Sequence, residues 1–186
     1  MSDETSPTTS SQSNNSVAEA LVKNLGAWRG AKLDGESARP GDWVEGIRAL
    51  RDQLGELGVD LSGARMIDGS GLSEQNRLSA RMLVRALQVG RNRFDLGPEF
   101  LSSMPIAGLD GTLQKRFAAN RGRIRAKTGL LSDADVVALS GFAERADGET
   151  WIFSILVNGH VGGSRAAMDA TDRLARTLLV APAPKE

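Results

Sequence analysis

The chain has no cysteine and no tyrosine, a single histidine, and few other aromatic residues, three Trp and five Phe in 186 residues. Without cysteine there is no disulfide, no thiolate metal site and no cysteine nucleophile. The one histidine, His160 in VNGHVGG, leaves a single base for any Ser-His-Asp triad and too few ligands for a zinc centre. Excess charge is missing too. Lys plus Arg and Asp plus Glu balance at 23 each, which removes the electrostatic case for a nucleic-acid or membrane-surface partner. No apolar run approaches the roughly 20 residues that span a bilayer. The opening MSDETSPTTSSQ has neither the basic nor the apolar segment of a signal peptide. The phosphate loop GxxxxGK[ST] does not occur, no carboxylate pair is singled out, and nothing calls for a cofactor.

What is present fits one domain with a real core. Residues 1–12 are a Ser/Thr-rich tail, 13–180 the folded part, and 181–186 a second tail. Val17, Ala20, Leu21 and Leu25 recur at helical spacing after the Ser13-Asn14-Asn15 cap, with Gly26 as the expected stop. Pro40-Gly41-Asp42 opens a second helix whose apolar face is Trp43, Val44, Ile47, Leu50, Leu54 and Leu57, closed by Gly58. After the glycine-rich GARMIDGSGLSEQN comes a third helix, Ala80 to Val89, capped by Ser79, and a short one over Pro98 to Leu101. From Arg123 the period changes to two. Strands are expected from Arg123, over Val136 to Ala143, and over Thr150 to Val157, with Asp147-Gly148 turning a hairpin between the last two. An amphipathic helix, Ser164 to Leu179, places Ala167, Thr171, Leu174 and Leu178 on one face. The basic run Lys115 to Lys127 (KRFAANRGRIRAK) reads as solvated surface. The order is helices, an antiparallel three-strand unit and a covering helix, an α/β arrangement.

Two short motifs carry chemistry. Ser13-Asn14-Asn15 is an S-x-N at a helix start, and Lys127-Thr128-Gly129 is a KTG on a strand, two of the three motifs of active-site serine penicillin-recognising enzymes. Their order, with SNNSVAEAL (Ser13 to Leu21), DGSGLSEQNRLSA (Asp68 to Ala80), SMPIAGLDGTLQKRF (Ser103 to Phe117), IRAKTG (Ile124 to Gly129) and FSILVNG (Phe153 to Gly159), resembles the D-alanyl-D-alanine carboxypeptidase/endopeptidases of the penicillin-binding protein 4 type. The resemblance runs from Ser13 to Leu179.

It implies the penicillin-recognising serine enzyme (β-lactamase/transpeptidase-like) fold, in part. It also implies a family serine that attacks the D-Ala-D-Ala end or D-Ala cross-links of peptidoglycan stem peptides and is trapped by β-lactams, outside the cytoplasm in the periplasm or cell wall. By the same resemblance Ser13 stands in the proton path, Asn15 orients the peptide and Lys127 supplies positive charge to the serine and the substrate carboxylate. Thr128 and Gly129 belong to a strand that aligns an extended substrate, Gly129 leaving it room. Asp68 to Ser73 are expected to form a structural loop.

Two departures accompany the likeness. No Ser-x-x-Lys occurs, so the nucleophile and its lysine are missing, and Thr112-Leu113-Gln114-Lys115 is a structural look-alike. Leu130 follows KTG where the family carries Thr or Ser. The chain therefore reads as a C-terminal portion, inactive alone and prone to self-association through an exposed sheet edge. The rival reading is a non-catalytic remnant of the same fold that binds stem peptides or a protein.

Overall fold

The computed structural model describes residues 14–34 and 42–180. Ser13 and the two tails lie outside the described residues. Five α-helices and three strands follow in the order α1 (Asn15–Asp34), α2 (Trp43–Glu56), α3 (Ala80–Asn92), α4 (Gly97–Ser102), β1 (Ile124–Leu131), β2 (Val136–Glu144), β3 (Thr150–Asn158) and α5 (Ser164–Leu178), with two single-turn 3-10 helices at Gly111–Leu113 and Ala118–Asn120.

The helix starts follow their caps. Asn14 Oδ1 accepts from the Val17 amide at 3.1 Å. Asp42 Oδ1 accepts from Val44 N at 2.8 Å, and Ser79 Oγ from Met82 N at 3.2 Å. Each satisfies a backbone N–H that has no partner within its helix. At the end of α2, Gly58 takes φ 78°, the left-handed region that glycine enters without penalty.

Four sequence expectations about the helices change. Gly26 does not stop α1, which continues to Asp34. It is instead a crossing point: a Cβ there would stand 2.4 Å from Asp42 O, and one on Gly46 2.0 Å from Val22 O, so two glycines let α1 and α2 touch backbone to backbone. The buried face of α1 is therefore Val22 and Gly26, with Val17 and Leu21 turned to solvent. In α2 Ile47 and Ala49 are buried, whereas Trp43 and Val44 are exposed. In α5 the buried set is Ala167, Thr171, Asp172 and Ala175, and Leu174 is more than half exposed.

The sheet is antiparallel in the order β1-β2-β3. Arg145 N donates to Glu149 O at 2.8 Å and Gly148, at φ 87°, donates to Arg145 O, closing the β2–β3 hairpin at Asp147-Gly148. Alternation along each strand sorts side chains onto two faces. Ile124, Ala126, Leu139, Ala143 and Phe153 pack with Phe117, Leu113 and, from α5, Ala175, forming the main core. On the other face Phe142 packs with Leu87 of α3 and with Met104, a smaller second core. Gly141 keeps β1 and β2 close: a Cβ there would lie 2.1 Å from Arg125 O.

The PIAGLDGTLQKR block builds the floor of β1. Asp110 Oδ1 accepts from Ile106 N at 2.6 Å, and Ala107 N donates to Ile124 O at 2.9 Å. Arg116 then clamps Asp172 of α5 through Nε at 3.1 and 3.2 Å and through Nη2. The basic run is thus largely structural. Arg123 donates to Glu144 O at 2.7 and 3.0 Å, and Arg125 to Leu101 O at 3.3 Å.

Candidate functional site

Lys127, Thr128 and Gly129 lie within β1, which continues two residues past the glycine, so the motif sits on a strand rather than in its closing turn. Lys127 and Thr128 point to opposite faces. The Thr128 hydroxyl donates to Thr112 Oγ1 at 3.0 Å, tying the motif to the Gly111–Leu113 turn, so Thr112 of the Ser-x-x-Lys look-alike braces the strand. Lys127 is on the α3 face. In register it is opposite Ser140, which is opposite Ser154, and those two hydroxyls are 2.9 Å apart.

The outer edge of β1 is half covered. Ala107 N bonds Ile124 O and Ala126 N bonds Pro105 O at 3.1 Å, so the 105–107 segment occupies the edge up to Ala126. Antiparallel alternation then turns the N–H and C=O of Thr128 and Leu130 outward. Lys127 Nζ donates to Thr128 O at 2.9 Å, its hydrogen bond among the described residues, and no described carboxylate pairs with it. Desolvation of the ammonium pulls its pKa below the ordinary lysine value. The site thus offers an unpaired cation beside an open stretch of strand edge. A Cβ on Gly129 would come within 3.1 Å of Ala138 Cβ, so this glycine also serves β1–β2 packing. Leu130 is half exposed and paired with Val137.

Asn15 is the exposed first residue of α1, and no hydrogen bond joins it to Lys127. Ser13 lies outside the described residues. The N-terminal turns of α1 are held instead by the DGSGLS loop. Asp68 accepts from Gly71 N at 2.8 Å, Ser73 N at 2.6 Å and Asn76 Nδ2 at 2.9 Å, which folds the loop on itself. Ser70 N donates to Glu19 Oε1 at 2.9 Å, and hydrogen bonding from Ser70 holds the Glu19 carboxyl below its usual pKa against the opposing effect of burial. Gly69 seats against α1: a Cβ there would be 2.7 Å from Ala18 O. His160 stands in the loop after β3 with both ring nitrogens buried and without a hydrogen-bond partner. No cluster of metal-ligating side chains forms among the described residues, and no described helix is long and apolar enough to cross a membrane.

Sequence reading missed the Ser140–Ser154 pair. A hairpin closing at Asp147-Gly148 already sets these serines opposite each other, and two hydroxyls inside otherwise apolar strands are the available signal.

In chain order the DGSGLS loop, the PIAGLDGTL floor and the motif strand follow one another. The D-Ala-D-Ala carboxypeptidase 3 (S13) family matches residues 7–178. The chain belongs to this family. It is 38% identical over 164 residues to a D-alanyl-D-alanine carboxypeptidase of Actinomadura sp. (strain R39), covering 84% of this chain and 28% of that protein. It is 32% identical over 174 residues to carboxypeptidase DacB of Mycolicibacterium smegmatis, covering 89% and 35%. Penicillin binding protein 4 (dacB) from Haemophilus influenzae superposes with a TM-score of 0.77 at 26% identity, over 92% of this chain and 38% of that one. The fold is accordingly that of the penicillin-binding peptidases, in part. The S13 chain described here spans between 28% and 35% of the length of the two curated relatives.

Proposed function

We propose that this chain is the KTG-bearing part of a serine-type D-Ala-D-Ala carboxypeptidase/endopeptidase, working on peptidoglycan stem peptides outside the cytoplasm, and that it does not acylate by itself. The observation that carries the reading is Lys127: an ammonium with no described carboxylate partner, beside the uncovered Thr128–Leu130 edge of a strand in a family of D-Ala-D-Ala carboxypeptidases. A peptide laid along that edge gains main-chain hydrogen bonds from Thr128 and Leu130, and its terminal carboxylate meets Lys127, which exchanges its bond to Thr128 O for a charge-assisted one. The S-x-N motif, Ser13 to Asn15, supports the same reading by family likeness, which gives Ser13 the proton path and Asn15 the orientation of the peptide.

Acyl transfer needs an activated serine, and no Ser-x-x-Lys occurs in this sequence. Binding of stem peptides without turnover is therefore the activity of this chain as it stands, and β-lactams meet the same constraint. Family membership supports the substrate class, and the solved Haemophilus influenzae relative complexed with a β-lactam supports the ligand class. The outer edge of β3, Thr150–Asn158, carries no charge, proline or glycine and pairs with no described strand, which favours self-association.

Titration with a peptide ending in D-Ala-D-Ala tests the reading. Saturable binding that is lost on Lys127→Ala supports it. Equal binding by the variant, or by a peptide with an amidated terminus, would remove Lys127 from the role.

A further inference from the structure

We propose a second ligand site, independent of the peptide edge: a hollow at the far end of β1 that takes a short dicarboxylate. It is lined by Arg91 from α3, Arg123 just before β1, Arg125 within it, Leu101, Phe142 and Glu144, and has a volume of ≈ 180 Å³. All three arginines are half-buried. None makes an ion pair with a described carboxylate. Arg123 and Arg125 are fixed by carbonyls, those of Glu144 and Leu101, which anchor each guanidinium without neutralising it. Arg91 lies over the Phe142 ring, 5.8 Å from its centroid, a contact that orients the fork.

Three arginines against the one glutamate leave two uncompensated positive charges around an apolar floor of Leu101 and Phe142. Half-buried guanidinium groups retain unused donors in a fixed geometry suited to carboxylates. The ligand that complements them carries two negative charges. Arg123, the residue before β1, and Arg125 within it are two residues apart, about 7 Å along extended chain, and Arg91 reaches in from a different element. Charge spread over separate positions matches two carboxylates joined by a short apolar spacer better than one tetrahedral centre. The spacer rests on Leu101 and Phe142. Thr150 adds a hydroxyl at the rim.

Calorimetric titration of the full chain with glutarate, inorganic phosphate and acetate at fixed low ionic strength tests the proposal. One equivalent of glutarate is expected to bind, more tightly than phosphate. Arg91→Gln, which disturbs no backbone contact, is expected to weaken it about tenfold. Glu144→Gln, which removes the competing carboxylate, is expected to tighten it, and Lys127→Ala to leave it unchanged. Shifts of the Arg91, Arg123 and Arg125 Nε–H resonances on addition of glutarate give a readout that does not depend on any variant. Non-saturable heats, phosphate binding tighter than glutarate, wild-type affinity in Arg91→Gln or loss of affinity in Lys127→Ala would each overturn the site.

Discussion

Asp172→Asn isolates the contact that joins the PIAGLDGTLQKR block to the covering helix. Asp172 and Arg116 have side chains only 7% and 17% exposed, and the guanidinium engages both carboxylate oxygens. Arg176 adds a second cation close by, its guanidinium 5.3 Å from the centroid of the Phe117 ring that Arg116 flanks at 5.7 Å. Asparagine preserves the shape, so no cavity forms and the change is one of charge. It leaves the Arg116 guanidinium beside the main core with no buried anion. Breaking a buried pair from one side costs about 3–5 kcal/mol, and the residual exposure of Arg116 places this case near 3. Against a whole-domain stability of about 5–15 kcal/mol that is a large fraction. With a urea m-value of about 2 kcal/mol/M, the midpoint falls by roughly 1.5 M at unchanged slope, read by far-UV circular dichroism. Arg116→Met combined with Asp172→Leu is expected to recover most of the loss, because well-packed apolar replacements of a buried pair are close to neutral. A midpoint for Asp172→Asn within about 0.2 M of wild type would refute the argument.

Two further outcomes follow from packing and titration. Gly46→Ala forces a methyl against the Val22 carbonyl, a backbone obstacle that cannot rotate away, and is expected to cost about 3 kcal/mol in urea denaturation, whereas Gly55→Ala on the same helix meets open space and is expected to gain about 0.5–1 kcal/mol. The depressed pKa of Lys127 means that the unfolded chain binds its proton more tightly, so the lysine opposes folding at neutral pH and the penalty fades as pH rises through the folded pKa toward 10.5. Lys127→Met is therefore expected to unfold at a higher urea concentration than wild type at pH 7, with the gap narrowing by pH 10; a constant gap would contradict the desolvation.

Element types and most boundaries were legible because caps and turns are local chemistry. Asp42, Ser79 and Asp147-Gly148 act within a few residues of themselves, and all three do what their residue types suggest. Burial was less legible. In α1 and α2 apolar residues line more than one side, so periodicity chose Val17, Leu21, Trp43 and Val44, while the face that packs was decided by glycines, Gly26 and Gly46, which add nothing to a hydrophobic pattern. Gly26 looked like a helix stop for the same reason: conformational freedom and close approach use the same residue. At the site, KTG was readable as a motif. That Lys127 and Thr128 face opposite ways, that Thr112 braces the threonine and that Ser140 stands across from the lysine all depend on strand register, which no three-residue pattern contains.

In the proposed role a strand edge and a cation hold a peptide terminus, and no serine acylates because no Ser-x-x-Lys is present in the sequence. Intact-mass measurement after incubation with excess penicillin tests it most directly. The unmodified mass is expected, alongside saturable, Lys127-dependent binding of a D-Ala-D-Ala peptide. A mass increase of one penicilloyl group would contradict it, because some serine in this chain would then be an activated nucleophile.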